Sequence, residues 1–169
     1  QVQPRRCMSH LISGSNFNIQ RAMESSSREG YRFLEHVTDA FIEAWGETFE
    51  TALAQAGLAF FDTITDTGKV QPKVSVEIAA TGHDELELVY NWLEELLLRF
   101  EIDQLAFSRF QIERVTHPDN GFQVSSKAWG EPFDRVRHSR KVEVKGVTYH
   151  LMSVDRAIGK TTLRFILDL

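Results

Sequence analysis

The spacing of apolar residues changes period along this chain, and that change confines it to a fold that mixes helices with strands. Phe49, Ala52, Leu53, Ala56, Phe60 and Ile64 recur at threes and fours, as do Leu86, Val89, Tyr90, Leu93, Leu96, Leu97 and Phe100. Each set lines one side of an α-helix. Val74, Val76, Ile78 and Ala80 instead alternate with Ser75, Glu77 and Ala79, and Leu163, Phe165, Leu167 and Leu169 share one parity; that is how half-buried strands read. Thr48 and Asp84 stand where helix N-caps belong. Further strands are expected over 105–115, 121–129, 141–154 and 161–169, which are rich in β-branched and aromatic residues, with a turn at Pro118 to Gly121 joining the first two. The fold class is therefore α+β, with two main helices packed on a mainly antiparallel or mixed β-sheet.

A polar island interrupts two β-like runs near the start of the patterned region. Phe33 and Leu34 precede it, Phe41, Ile42, Ala44 and Trp45 follow it, and between them stand His36, Thr38 and Asp39. Such a cluster can be a turn that hydrogen-bonds its own backbone. The parity of the last strand sends Arg164, Ile166 and Asp168 away from the core, with Asp168 beside the chain's α-carboxylate. Carboxylate and carbonyl oxygens suit hard cations, so Asp39 and Asp168 could hold Ca²⁺ or Mg²⁺ if the final strand ran beside the first. A third stretch, EPFDRVRHSRKVEVKGVTYH, gathers Arg135, Arg137, Arg140, Lys141 and Lys145 around His138. It is either a solvated loop leading into a strand or a patch for phosphate, RNA or an acidic partner. His138 and His150 read as hydrogen-bonded structural residues or as metal ligands.

A chain of 169 residues with 42% hydrophobic content suits a single domain, here over 30–169, after a flexible tail over 1–29 whose apolar residues are too sparse to bury a face. The net charge of -5 argues against nucleic-acid binding through the overall field. Cys7 is the sole cysteine, so no internal disulfide or cysteine-rich zinc site forms, and a reducing compartment fits. Cytoplasm or nucleus is expected; an Arg- and Ser-bearing start without acids over residues 1–23 is the competing mitochondrial signal. Phosphate-loop, dinucleotide-turn, HExxH and nucleophile-elbow signatures are missing, and Gly159, Lys160, Thr161 lacks the upstream glycine of a Walker motif. Catalysis by this chain alone is not expected.

Taken together, YRFLEHVTDAFIEAWG, LVYNWLEELLLRF, GEPFDRVRHSRKVEVKGVTYHLM and FILDL occur in this order and resemble the archease family, over about Tyr31 to Leu169. The resemblance implies an α+β fold and a non-catalytic, cofactor-like role: activating an RNA-splicing ligase of the RtcB type by promoting its guanylylation and multiple turnover. That ligase serves tRNA splicing and, in some eukaryotes, stress-induced mRNA splicing. GTP and the catalytic metal belong to the ligase. The resemblance further implies a divalent-cation site, with calcium as the ion, on Asp39, Asp168 and a main-chain oxygen of Leu169. It assigns His36, Arg137, His138, Lys141 and Lys145 to a polar, partner-facing surface, and Trp45 and Trp92 to packing. Where the family more usually has EHTAD this chain has EHVTD, which keeps the histidine and aspartate and changes the residues between them. The alternative is an RNA-binding or chaperone module for RNA-modifying enzymes that uses the basic loop 135–145.

Overall fold

The computed structural model describes residues 28–36 and 38–169; the tail expected over 1–29 falls, as far as Ser27, outside the described residues. β1 (Gly30–Leu34) and β2 (Ala40–Gly46) flank the polar island. Thr48 then caps α1 (Phe49–Ile64): its hydroxyl accepts from the Thr51 N–H while the Thr51 hydroxyl accepts from the Thr48 N–H. This reciprocal pair satisfies donors that a helix start leaves open. β3 (Val74–Gly82) leads to α2 (Glu85–Glu101), where the Asp84 carboxylate accepts from the Glu87 N–H. β4 (Leu105–Thr116), β5 (Phe122–Pro132), the short α3 (Arg135–His138), β6 (Gly146–Ala157) and β7 (Lys160–Asp168) complete the chain.

The strands form two antiparallel sheets, in the orders β1-β2-β7-β6 and β3-β5-β4. The sequence expectation of one sheet is refined to two because the helices have more than one face to cover. α1 packs on β2 and β7 of one sheet and on β4 of the other, and α2 packs on β3 and β6. Ten of the sixteen residues of α1 are accordingly buried, more than a one-sided helix hides. Small residues let the layers approach: a Cβ on Gly57 would come within 2.8 Å of the Trp92 ring.

The core is continuous, with Phe60, Phe61, Trp92, Phe107 and Phe165 fully enclosed. Phe61 meets Phe107 edge-on at 5.4 Å and Phe100 at 6.2 Å, favourable geometry for aromatic quadrupoles. The Trp92 indole N–H donates to the Ser126 hydroxyl (2.9 Å), which donates to the Ile78 carbonyl (2.8 Å), so these two buried polar side chains are paired. Trp45, read from the sequence as a packing residue, instead lies half-buried on the outer face, with the Lys160 ammonium 5.4 Å from its ring.

The strand expected from residue 141 begins at Gly146. Lys141 is committed elsewhere: its N–H donates to the Ile64 carbonyl at 2.7 Å and its ammonium to the Asp62 carbonyl and carboxylate at 2.8 Å. Carbonyls that the end of α1 leaves open thereby gain partners.

Phe61→Ala should cost about 3–5 kcal/mol in urea unfolding, whereas Ile102→Ala, at a 71% exposed position, should stay within about 0.5 kcal/mol. Equal losses would contradict this placement of the core.

Candidate functional site

Directly opposed residues of an antiparallel pair share a face. Along β2 and β7, Ile42 opposes Phe165 and Ala44 opposes Leu163 on the core side, while Phe41 opposes Ile166 and Glu43 opposes Arg164 on the outer side. Ala40 opposes Leu167 at the last paired position. Continued by one residue, the same register sets Asp39 against Asp168. The closing strand therefore lies beside β2, the strand that follows the island, with β1 on the far side of β2.

Within the island the side chains bond one another, and among the described residues no side chain of it bonds the island's own backbone. The Thr38 hydroxyl donates to Asp39 Oδ2 at 3.1 Å, and His36 Nδ1 lies 3.4 Å from the same oxygen. The His36 ring meets Phe41 edge-on at 6.3 Å. Across the strand end, Lys145 reaches in from the segment before β6: its N–H donates to the Asp168 carbonyl at 2.8 Å and its ammonium to the Leu169 carbonyl at 2.7 Å. His36, Asp39, Lys145, Asp168 and Leu169 thus gather at one end of one sheet.

Two carboxylates, a hydroxyl and main-chain carbonyls are an oxygen-rich donor set of the kind hard cations prefer. Among the described residues, no three His, Cys, Asp or Glu side chains converge to hold a metal. A cation here would have Asp39 and Asp168 as side-chain ligands and the Leu169 carbonyl as a third, an oxygen it would share with the Lys145 ammonium. The residues fit the implied ion in chemical type.

The basic stretch resolves differently from the sequence expectation. Arg137 Nη2 lies 2.9 Å from Glu131 Oε2, Lys141 binds Asp62, and Lys145 binds Leu169. His138, expected on a partner-facing surface, requires correction: it is fully buried. Its Nδ1 accepts from the Asp134 N–H at 2.9 Å, which leaves Nε2 as the protonated nitrogen facing Glu131 Oε1 at 3.0 Å. Its carbonyl accepts from the Thr65 hydroxyl. His138 therefore anchors the loop and offers no surface to a partner.

Glu131, which the sequence reading passed over, is the hub of this anchor. Its side chain is 1% exposed, and it accepts from the Gln71 N–H and the Lys73 ammonium, each at 2.8 Å. The Lys73 hydrogen bond first, then the Gln71 N–H, hold its carboxyl down to about 2; burial opposes them, and His138 and Arg137 assist. The available signal was a carboxylate at a strand end, followed by Asp134 and then a run of cations. On the other side of the loop, burial and the adjacent Asp62 carboxylate push the Tyr31 phenol up to about 12, so Asp62 links β1, α1 and Lys141.

Comparison with known proteins bears on this arrangement. The profile of the Archease protein family (MTH1598/TM1083) matches residues 31–169. A protein archease from Methanopyrus kandleri is 43% identical over 136 residues, covering 80% of this chain and 96% of its own. One from Sulfolobus acidocaldarius is 38% identical over 139 residues, covering 82% and 98%. The solution structure of Methanobacterium thermoautotrophicum protein 1598 superposes with a TM-score of 0.71 at 32% identity, covering 83% of this chain and 99% of that one.

The Glu131 anchor has a defined pH signature. With its carboxyl near about 2 in the folded protein against 4.5 ordinarily, its stabilisation is complete above pH 4.5 and is lost as pH falls through 2. Glu131→Gln should unfold at lower urea than the parent at neutral pH, and the two midpoints should converge on acidification toward pH 2. A gap that stays constant with pH would contradict the assignment.

Proposed function

Since the chain belongs to the archease family, we propose that it is a non-catalytic activator of an RNA-splicing ligase of the RtcB type, promoting guanylylation of that ligase and its multiple turnover in tRNA splicing and in stress-induced mRNA splicing. The observation that supports this reading is the β2–β7 register, which ends with Ala40 opposite Leu167 and, continued by one residue, brings Asp39 opposite Asp168 beside Leu169.

In this reading Asp39, Asp168 and the Leu169 carbonyl hold a divalent cation, calcium, at the tip that meets the ligase. When bound, the ion supplies a concentrated positive charge to a phosphate or carboxylate on the partner. His36 orients Asp39, and Lys145 both steadies the terminal carbonyl and adds a second positive charge beside the ion. Arg137 and Lys141 contribute chiefly by holding the neighbouring loop. Activation requires that the tip bind the guanylylation-competent ligase conformation more tightly than the resting one, since equal affinity would shift nothing. GTP, the catalytic metal and the RNA ends being joined stay with the ligase, so activation itself needs no RNA contact by this chain. No helix among the described residues is long and apolar enough to cross a membrane; the proposed setting is the cytoplasm, the nucleus or both.

The competing use of loop 135–145 as an RNA patch is less well supported, because Arg137 and Lys141 bind carboxylates of the chain itself.

Asp39→Asn and Asp168→Asn should each fold normally by circular dichroism yet lose stimulation of ligase guanylylation by at least the roughly tenfold that even outer-shell changes at metal sites cost. Chelation of divalent ions from the activator before mixing should lower stimulation in the parent and leave the variants unchanged. Full stimulation by either variant would overturn the reading.

A further inference from the structure

The β3-β5-β4 sheet has a second face that the helices do not cover. Its core-side residues, such as Ile78, Val124 and Ala128, are buried, while the alternate set is exposed or half-buried. Register places that outer set in rows. Ser75, Trp129 and Arg109 lie side by side across the three strands, followed by Glu77, Lys127 and Gln111, and then by Ala79, Ser125 and Arg114. The Arg109 guanidinium lies over the Trp129 ring, its carbon 4.3 Å from the centroid.

We propose that this sheet face binds single-stranded RNA, with Trp129 and Arg109 as a stacking platform and Lys127 and Arg114 as phosphate contacts. Indole and guanidinium planes are what unpaired bases stack on, and a central strand presents them at fixed height and spacing. Gln111, Gln123 and Ser125 add donors and acceptors suited to base edges. Charge supports the same occupant. Among the described residues Arg109, Arg114 and Lys127 have no salt-bridge partner, in contrast to the loop cations held by Glu131 and Asp62. Glu77 and, at the β4 bulge, Glu113 oppose them in part. At the upper end of the face the half-exposed Lys73 and Arg137 flank the Glu131 carboxylate, and with Asp134 beside Arg137 that cluster is close to neutral. A shallow, open sheet of three strands suits one strand laid across it better than a duplex. The inference does not depend on the ligase reading, because it concerns the isolated protein.

The test is fluorescence anisotropy of a short, unstructured, end-labelled RNA titrated with the protein alone at several salt concentrations. Saturable binding is expected, with log K falling against log salt at a slope of about -1.4 for the two phosphates contacted by Lys127 and Arg114. Lys127→Ala and Arg114→Ala should each flatten that slope by about 0.7. Trp129→Ala should weaken binding by roughly fivefold or more, while Trp129→Phe retains most of it. Arg140→Ala, on the basic loop, should bind as the parent does. If Trp129→Ala does not fold, the exposed pair Arg109→Gln and Lys127→Gln decides the same point. Absence of saturable binding, or binding that none of these face variants changes, would overturn the proposal. So would face variants that bind RNA normally but no longer stimulate the ligase, since that result assigns the face to a protein partner. Normal ligase stimulation with lost RNA binding is the expected pattern.

Discussion

The pairing of β7 between β2 and β6 is the constraint on which the rest of the molecule depends. Leu163, Phe165 and Leu167 are wholly buried on its core side, and each opposes a residue of β2 on the same face. A slip of one residue would turn Arg164 and Asp168 inward and these three outward. The outer face locks the same register. Arg32 meets Glu43 at 2.7 Å, Glu43 meets Arg164 at 2.7 Å, and Arg164 meets Asp155 at 2.6 Å, a line of alternating charge across all four strands. Glu43 is only 6% exposed, so removing either arginine would leave a poorly solvated carboxylate short of a partner. Apolar packing on one side and ion pairing on the other therefore fix where the chain's last residues stop.

That stopping point gives the sheet end its chemistry. Asp168 belongs to a strand whose register is fixed from two sides, while Asp39 belongs to a short turn braced by Thr38 and His36. Lys145 ties the terminal carbonyl to the segment before β6. A site assembled this way draws on residues at opposite ends of the described chain. The basic loop, by contrast, spends its charges on architecture: Lys141 closes the end of α1, and Arg137 and His138 converge on the buried Glu131.

Much of the fold was legible from local signals. Thr48 and Asp84 announced both helices because capping chemistry is specific, and the parity of Leu163, Phe165 and Leu167 announced the closing strand because one face is buried. Membership of the archease family was legible because four separated motifs occur in order. What escaped the sequence depended on contacts between distant residues. The division into two sheets follows from α1 being enclosed on more than one side, which its alanines and Gly57 permit but do not declare. Lys141 to Lys145 read as strand, yet the end of α1 recruits Lys141. The family resemblance put His138 on a partner-facing surface, whereas the residues alone allowed a hydrogen-bonded structural histidine, which is what the folded chain has, enclosed by Glu131 and the Asp134 N–H. Ile166 has outward parity but is 1% exposed, seated between Phe41 and Thr148, so the outer face is drier there than alternation suggests.

The juxtaposition of Asp39 with Asp168 and Leu169 as a cation site is tested most directly by following backbone amide resonances of the isolated protein while Ca²⁺ is titrated in. The account predicts saturable shifts confined to the island around Asp39, to Lys145 and to the last residues of β7, and their loss in Asp168→Asn. Saturation at a different part of the surface, or no saturable change at this sheet end, would contradict it.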